Sequence, residues 1–182
     1  MSDNGPEGRT PFYDLALPVD GQKPWGELMR EALAIIDSRL VAVSGSIFVD
    51  NNSTVTPSPG TTGAKALFDE GAVQAGPPCQ FCATDGNRIT YNGPATKRVT
   101  VVATGNLVGP ASSTLGWQVR INGAVDGGLA KRMRLNTGQT IGFVAVAGNV
   151  DLEPGDFLEL WVTNLTNADD VRVLDLTLAT RG

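Results

Sequence analysis

Cys79-Gln80-Phe81-Cys82 is the short motif in this sequence with the most chemical content. Two thiols at Cys-x-x-Cys spacing supply half of a tetrahedral zinc site or a redox pair. The chain has no histidine and no further cysteine to complete a zinc site. A redox role wants the pair at the start of a helix, where the helix dipole favours the thiolate. Here Pro77-Pro78 precedes the motif and Asp85-Gly86 follows it, which reads as a loop. Three readings stay open: a reduced structural pair, a small disulfide closed outside the cell, and a metal shared by copies around a threefold axis.

The missing histidine also removes Ser-His and Cys-His nucleophile pairs and the commonest general base near neutral pH. Glu153 and Asp156 are a carboxylate pair of the kind that could serve a glycosidase in principle. Both flank Pro154-Gly155, however, where acidic residues are ordinary turn formers. Asp169-Asp170 lacks the spaced oxygens of a dedicated calcium loop. No phosphate-binding glycine loop or nucleophile elbow is present. The expectation is a protein that is not an enzyme and needs no cofactor or metal.

Lys131-Arg132-Met133-Arg134 is the nearest thing to a basic patch, in a chain of net charge −5. Nucleic-acid and anionic-membrane binding call for broad basic faces, so neither is expected as a partner. No apolar run is long enough to span a bilayer. The polar, acidic opening Met1-Ser2-Asp3-Asn4-Gly5-Pro6-Glu7 is unlike a secretory signal, so synthesis and folding in a cytoplasm are expected.

The elements that position these groups follow from periodicity. Residues 1–23 read as an extended arm with an apolar island, Phe12-Tyr13-Asp14-Leu15-Ala16-Leu17-Pro18. A helix is predicted over 24–43, opened by Pro24, whose missing N–H would be unpaired there anyway. Within it Met29, Leu33, Ile36, Leu40 and Val43 recur at a/d spacing. Trp25, Leu28, Ala32 and Ile35 widen that apolar face. Such a face either packs on its own chain or bundles with copies of itself, and three strands suit it better than two.

Ile47-Phe48-Val49 reads as a short strand, and breaker residues dominate from there to 86. The predicted organisation is therefore 1–46 as arm and oligomerising helix, 47–86 as irregular linker and 87–182 as the β domain. In the last, Val99 and Val101 oppose Thr100 and Val102, while Trp117, Val119 and Ile121 oppose Gln118 and Arg120. Asn122-Gly123 reads as a tight turn. Leu158, Leu160 and Val162 form one aliphatic face after the Pro154-Gly155 turn. Leu174, Leu176 and Leu178 form the next, with Asn164–Asp170 read as the turn of a C-terminal hairpin. This pattern predicts a mainly β, antiparallel sandwich.

Three stretches carry a resemblance: Thr96-Lys97-Arg98-Val99-Thr100-Val101, Trp117-Gln118-Val119-Arg120-Ile121-Asn122-Gly123, and Val150 through Val162 with its Leu-x-x-Gly-Asp step. Together they resemble the trimeric jelly-roll heads of the tumour-necrosis-factor and complement globular-head type, as used in bacteriophage structural proteins. Tyr13 to Pro18 with Lys23-Pro24-Trp25-Gly26 is similar to the openings of phage fibre and decoration proteins. A full jelly roll needs a strand that 87–182 does not obviously supply.

The resemblance implies a homotrimeric decoration or head-fibre protein on the surface of a phage head. Its partners would be copies of itself and the major capsid or other virion proteins. Phe12, Tyr13, Leu15 and Leu17 would anchor it to the capsid. Trp25, Met29, Leu33, Ile36, Leu40 and Val43, with Phe143 and Trp161 from the β head, would form the subunit interface. The alternative is a tail-fibre or receptor-binding tip that recognises a host surface glycan, which Trp117 or Trp161 exposed on a loop-side surface would favour. A cellular enzyme or glycan-binding module is disfavoured by the absent histidine.

Overall fold

The computed structural model describes Glu27, Met29, Arg30 and Leu33 and, from residue 43 onward, all but residues 58, 70–71, 77–81 and 86. The chain divides into two compact units, Met1–Val41 and Ala42–Gly182. In the first unit, the four described residues are all helical.

The second unit is built from β1 (Ser44–Val49), β2 (Ala64–Lys65), β3 (Val73–Ala75), β4 (Cys82–Asp85), β5 (Arg88–Tyr91), β6 (Lys97–Val108), β7 (Thr114–Ile121), β8 (Ala124–Arg134), β9 (Ile141–Leu152), β10 (Phe157–Asn164) and β11 (Arg172–Arg181). One sheet has the order β3-β1-β11-β6-β9, and the other β4-β5-β10-β7-β8, with β2 paired to β10. Every pairing is antiparallel. Apart from the β7–β8 hairpin, each connection after β5 crosses from one sheet to the other. Two facing sheets wound in this way make a jelly roll.

Alternation drives the layering. Val99, Val101 and Ala103 of β6 and Val144, Val146 and Val150 of β9 meet Leu115, Trp117 and Val119 of β7 and Leu158, Leu160 and Val162 of β10 in one buried core. Each such aliphatic side chain taken out of water contributes roughly 1.5–3 kcal/mol. The predicted Asn122-Gly123 turn has both residues at positive φ, 52° and 76°, as a two-residue hairpin requires.

Several sequence expectations are corrected. The β unit starts at Ala42, not at 87, and the stretch read as linker supplies β1 to β4. Those strands run two to six residues. They are too short and too rich in small or polar residues to show periodicity, and pairing with long neighbours holds them. β1 pairs with β11 along its whole length, so the strand that seemed to be missing lies upstream of the β domain as first bounded. Ser44-Gly45-Ser46, directly after the predicted helix, opens that strand. Val43 has already left the helix: it exchanges two backbone hydrogen bonds of 2.8 Å with Gly182, and its side chain is buried in the core.

The C-terminal hairpin is also corrected. β10 and β11 exist as predicted, but they lie in different sheets. Two strands that each carry one strongly aliphatic face bury more surface by facing each other across a core than by lying side by side. The predicted Leu174 face is partly wrong. A bulge between Val173 and Asp175 shifts the phase of β11. Val171 and Val173 are therefore core residues together with Leu176 and Leu178, whereas Leu174 is half-exposed.

Candidate functional site

The outer face of the β3-β1-β11-β6-β9 sheet is apolar and small across its middle. The register aligns Ser46, Ala179, Val102 and Ala147 in one row, and Phe48, Thr177, Thr104 and Ala145 in the next. Beyond them Asn106 stands opposite Phe143, and Val108 opposite Ile141. Phe143 is 65% exposed, Ile141 46%, Phe48 40% and Val102 37%, so large side chains project into solvent from three strands of a single face.

β9 ends this sheet. From Ile141 to Gly148 it carries no charge, and Ile141, Phe143, Ala145 and Ala147 are all exposed. A long, uncharged, apolar edge strand is a liability for a protein that stays single in water. Charges return only at the two ends of the face. Asp50, Asp175 and Arg172 lie where β1 ends and β11 begins, and Arg181, Arg98 and Asp151 lie at the opposite end.

The outer face of the second sheet is closed on itself. Arg120 Nη2 donates to Thr62 O at 2.7 Å and to Gln118 Oε1 at 3.0 Å, while Nη1 reaches Gly123 O at 3.3 Å. The same guanidinium lies 3.9 Å from the ring centroid of Trp161. Burial pulls the Arg120 pKa below its ordinary value. Beside it the buried Glu159 carboxylate pairs with Lys65 and accepts a 3.4 Å bond from Trp161 Nε1. These contacts clamp residues 62–65 to the sheet. Trp161, expected at a subunit interface with Phe143, lies on the sheet opposite to Phe143 with one ring face covered by Arg120. Trp117, the other aromatic a glycan reading would use, is wholly buried.

The carboxylates singled out from the sequence act locally. Asp156 Oδ2 accepts from Glu153 N at 2.8 Å, and Oδ1 accepts from Asn122 Nδ2 at 2.6 Å, so Asp156 clips two turns together. Asp169 and Asp170 line an open cleft of about 570 Å³ with Val55, Val108, Pro110 and Arg172. Sequence reading missed Asp69, which ties down the loop after β1. Ser53 Oγ donates to it at 2.6 Å and Ser53 N at 2.7 Å, and Thr54 Oγ1 donates as well. These bonds, the Ser53 hydroxyl foremost, hold its carboxyl at about 2, below the ordinary 3.8. Asn52, buried beside it, donates to Val173 O at 2.9 Å. An Asn-Asn-Ser-Thr run followed at a distance by a lone Asp is too common to have flagged this knot.

Lys131, Arg132 and Arg134 are exposed on β8, the end strand of the second sheet. Cys82 opens β4 at the register position opposite Tyr91, and Cys79 lies outside the described residues. Of the helical seam, Met29 and Leu33 are 52% and 56% exposed. Trp25, Ile36 and Leu40 lie outside the described residues, as do Phe12, Tyr13, Leu15 and Leu17 of the arm. Val43, predicted for the same interface, is instead core. Among the described residues no cluster of three or more carboxylates or thiols could hold a metal ion, and no helix is long and apolar enough to cross a membrane.

No family model matches the sequence, and no curated protein does. Among solved structures the chain is similar to murine APRIL, determined at pH 5.0, with a TM-score of 0.48 and 12% identity over 76% of this chain and 98% of that one. It is similar also to the Eiger TNF of S. frugiperda, with a TM-score of 0.47 and 13% identity over 78% of this chain and 92% of that one.

Proposed function

We propose that this chain is a self-associating structural protein: a homotrimeric decoration or head-fibre protein that holds a phage head through its N-terminal region and projects a jelly-roll head. The observation that carries self-association is the outer face of Phe48, Val102, Ile141 and Phe143, continuous with the uncharged edge of β9. Removing such side chains from water is worth roughly 1.5–3 kcal/mol each, enough for a handful of them to hold a specific contact. The a/d seam that includes Met29 and Leu33 supports a second contact between copies, and its wide face supports three copies over two. The phage assignment draws on the N-terminal resemblance around Lys23-Pro24-Trp25-Gly26. In that role binding is mechanical, with many weak contacts to the shell multiplied by the valency of the oligomer.

Light scattering on the chromatographed full chain tests self-association. A single mass near three times 19.0 kDa supports the trimer, and a lone subunit at micromolar concentration removes the reading. Immunogold labelling of virions tests the location. Label on heads supports decoration, and label confined to tails overturns it.

A second reading, a receptor-binding tip for a host surface glycan, is favoured by the open cleft at the loop end. There the Asp169 and Asp170 carboxylates and the Arg172 guanidinium border Val55 and Pro110. Glycan-array binding lost in Arg172→Ala would support that role, and a blank array would remove it.

A further inference from the structure

We infer that the cleft at the loop end takes a neutral sugar unit and turns away acidic ones, namely sialylated, uronic-acid-bearing and phosphorylated glycans. The inference rests on the receptor-binding reading above and names the ligand class of that site.

The cleft lies at the end of the sandwich opposite to the chain's entry. Val43 and Gly182 exchange backbone bonds of 2.8 Å, so the chain enters and leaves the β unit side by side. Gly182 stands against Val99, near one end of β6. Val108, at the other end of β6, lines the cleft. At about 3.3 Å per residue these two positions are roughly 30 Å apart. A ligand in the cleft is therefore reached without crossing the end at which the chain enters.

Three segments wall the cleft, and each is tied down. Thr56 and Val171 exchange backbone bonds of 2.7 and 3.1 Å, which fixes Val55 beside the start of β11. Gly109 N donates to Thr140 O at 3.0 Å and holds the turn that carries Pro110. Buried Asn164 donates from Nδ2 to Asp169 O at 3.2 Å and accepts at Oδ1 from Thr166 N and Asn167 N. Walls that are already ordered lose little freedom on binding. The volume of about 570 Å³ falls within the roughly 300–1,000 Å³ of small-molecule sites.

Donor and acceptor stand side by side there, as a ring of hydroxyls requires. Asp169 Oδ2 accepts from Asn167 Nδ2 at 2.7 Å, and Oδ1 accepts from no described residue. Half-exposed Arg172 makes no ion pair with a described residue. A hydroxyl both donates and accepts, so a pair of them can meet the Asp169 carboxylate and the Arg172 guanidinium together. Val55, 45% exposed, and Pro110 supply an apolar wall for the C–H face of a sugar ring.

The surrounding charge sets the class. Asp169, Asp170 and Arg172 line the cleft. Asp175 lies opposite Asn106, two residues below Val108, and Asn51 N, next to Asp50, reaches it at 3.3 Å. Asp69 accepts from Ser53 N at 2.7 Å in the loop that leads to Val55. Five carboxylates thus surround one guanidinium. The cations of β8, Lys131, Arg132 and Arg134, belong to the far edge of the second sheet, two strands beyond β10. At about 4.8 Å per strand they stand roughly 10 Å off, near the screening length at physiological salt. A further anion brought into the cleft is repelled, whereas a neutral ring is not, and such like-charge contacts reject the wrong partner.

The test puts the full chain on an array of matched oligosaccharides, each neutral core beside the same core carrying sialic acid, a uronic acid or phosphate. Neutral forms should bind about tenfold more tightly at low salt, the scale that a few exposed charges allow. Salt at about 0.5 M should shrink that gap by screening it. D169N/D170N should narrow the gap by tightening the acidic forms, and Arg172→Ala should weaken the neutral ones. Circular dichroism confirms the fold of each variant, and the salt series reads the discrimination in the unaltered chain where a variant fails to fold. Acidic forms bound as tightly as neutral ones, a gap indifferent to both salt and D169N/D170N, or neutral binding untouched by Arg172→Ala each overturn the inference while leaving glycan binding in place. A blank array removes the receptor-binding reading and the inference with it.

Discussion

Arg120 and Trp161, on neighbouring strands β7 and β10, are stacked with 3.9 Å between the guanidinium carbon and the ring centroid. Arg120 is also the donor that reaches Thr62, so one side chain joins the second sheet to the segment that leads into β2. Arg120→Lys keeps the charge but loses the planar fork that makes these bonds while stacked. It should cost about 2 kcal/mol, and Arg120→Ala somewhat more, because a hydrogen bond to a charged group contributes roughly 1.5–3 kcal/mol. Thermal melts check this: a Tm for Arg120→Lys equal to that of the unaltered chain would mean that the clamp is dispensable.

Asp69 sets an acid limit. Hydrogen bonds from Ser53 and Thr54 lower its folded-state pKa to about 2 from an ordinary 3.8. Because the folded value is the depressed one, the stabilisation is fully present above the ordinary value and fades as pH falls from about 4 towards 2. Asp69→Asn should remove this part of the acid sensitivity and leave the loop after β1 less protected in hydrogen exchange at pH 7. Identical acid titrations of the two proteins, followed by tryptophan fluorescence, would sink the assignment.

The long strands were legible in the sequence because alternation over eight to twelve residues is hard to produce by accident: Val99-Val101, Trp117-Val119 and Leu158-Leu160-Val162 all face inward as read. What the pattern could not show is which strands sit side by side. An aliphatic face satisfies a neighbour across the core as well as one along the sheet, so β10 and β11 looked like a hairpin. One extra residue at the bulge after Val173 was enough to reverse the phase of the preceding part of β11. The short strands β2, β3 and β4 had no period to read, since their order comes from the partners they pair with. Of the surface, Phe143 was named from the sequence as an interface aromatic, and it stands exposed on β9. Phe48 and Val102 joined it only once the strand order was known.

Gly105 is the place where the bulge in β11 meets the next strand. A Cβ built there would lie 2.1 Å from the carbonyl oxygen of Asp175 and 2.9 Å from the ring of Trp117. Since one obstacle is backbone, it cannot rotate away, and Gly105→Ala should destabilise by about 1–3 kcal/mol through forced displacement of packed atoms. Gly138→Ala, at a turn with open space around it, strains only its own φ of 79° and should cost about 1 kcal/mol. Denaturant midpoints for the pair decide this, and the idea fails if Gly138→Ala is the worse of the two.

Phe143 tests the role of the apolar face with the least disturbance to the fold, because 65% of its surface is already in solvent and its strand neighbours Gly142 and Val144 face inward. Phe143→Ser should leave the circular dichroism and the low-concentration Tm nearly unchanged. If the side chain is buried between copies, its loss removes roughly 1.5–3 kcal/mol per contact, which is about ten- to a hundred-fold in each dissociation constant. Combining it with Phe48→Ser, from the row below on the same face, should leave a folded single subunit at concentrations where the unaltered chain is fully assembled. The single change Phe157→Ser, on the outer face of the other sheet where Arg88 lies 5.4 Å from its ring, serves as the control and should shift stability without shifting mass. Equal masses for all these proteins in light scattering would move the contact away from the first sheet altogether.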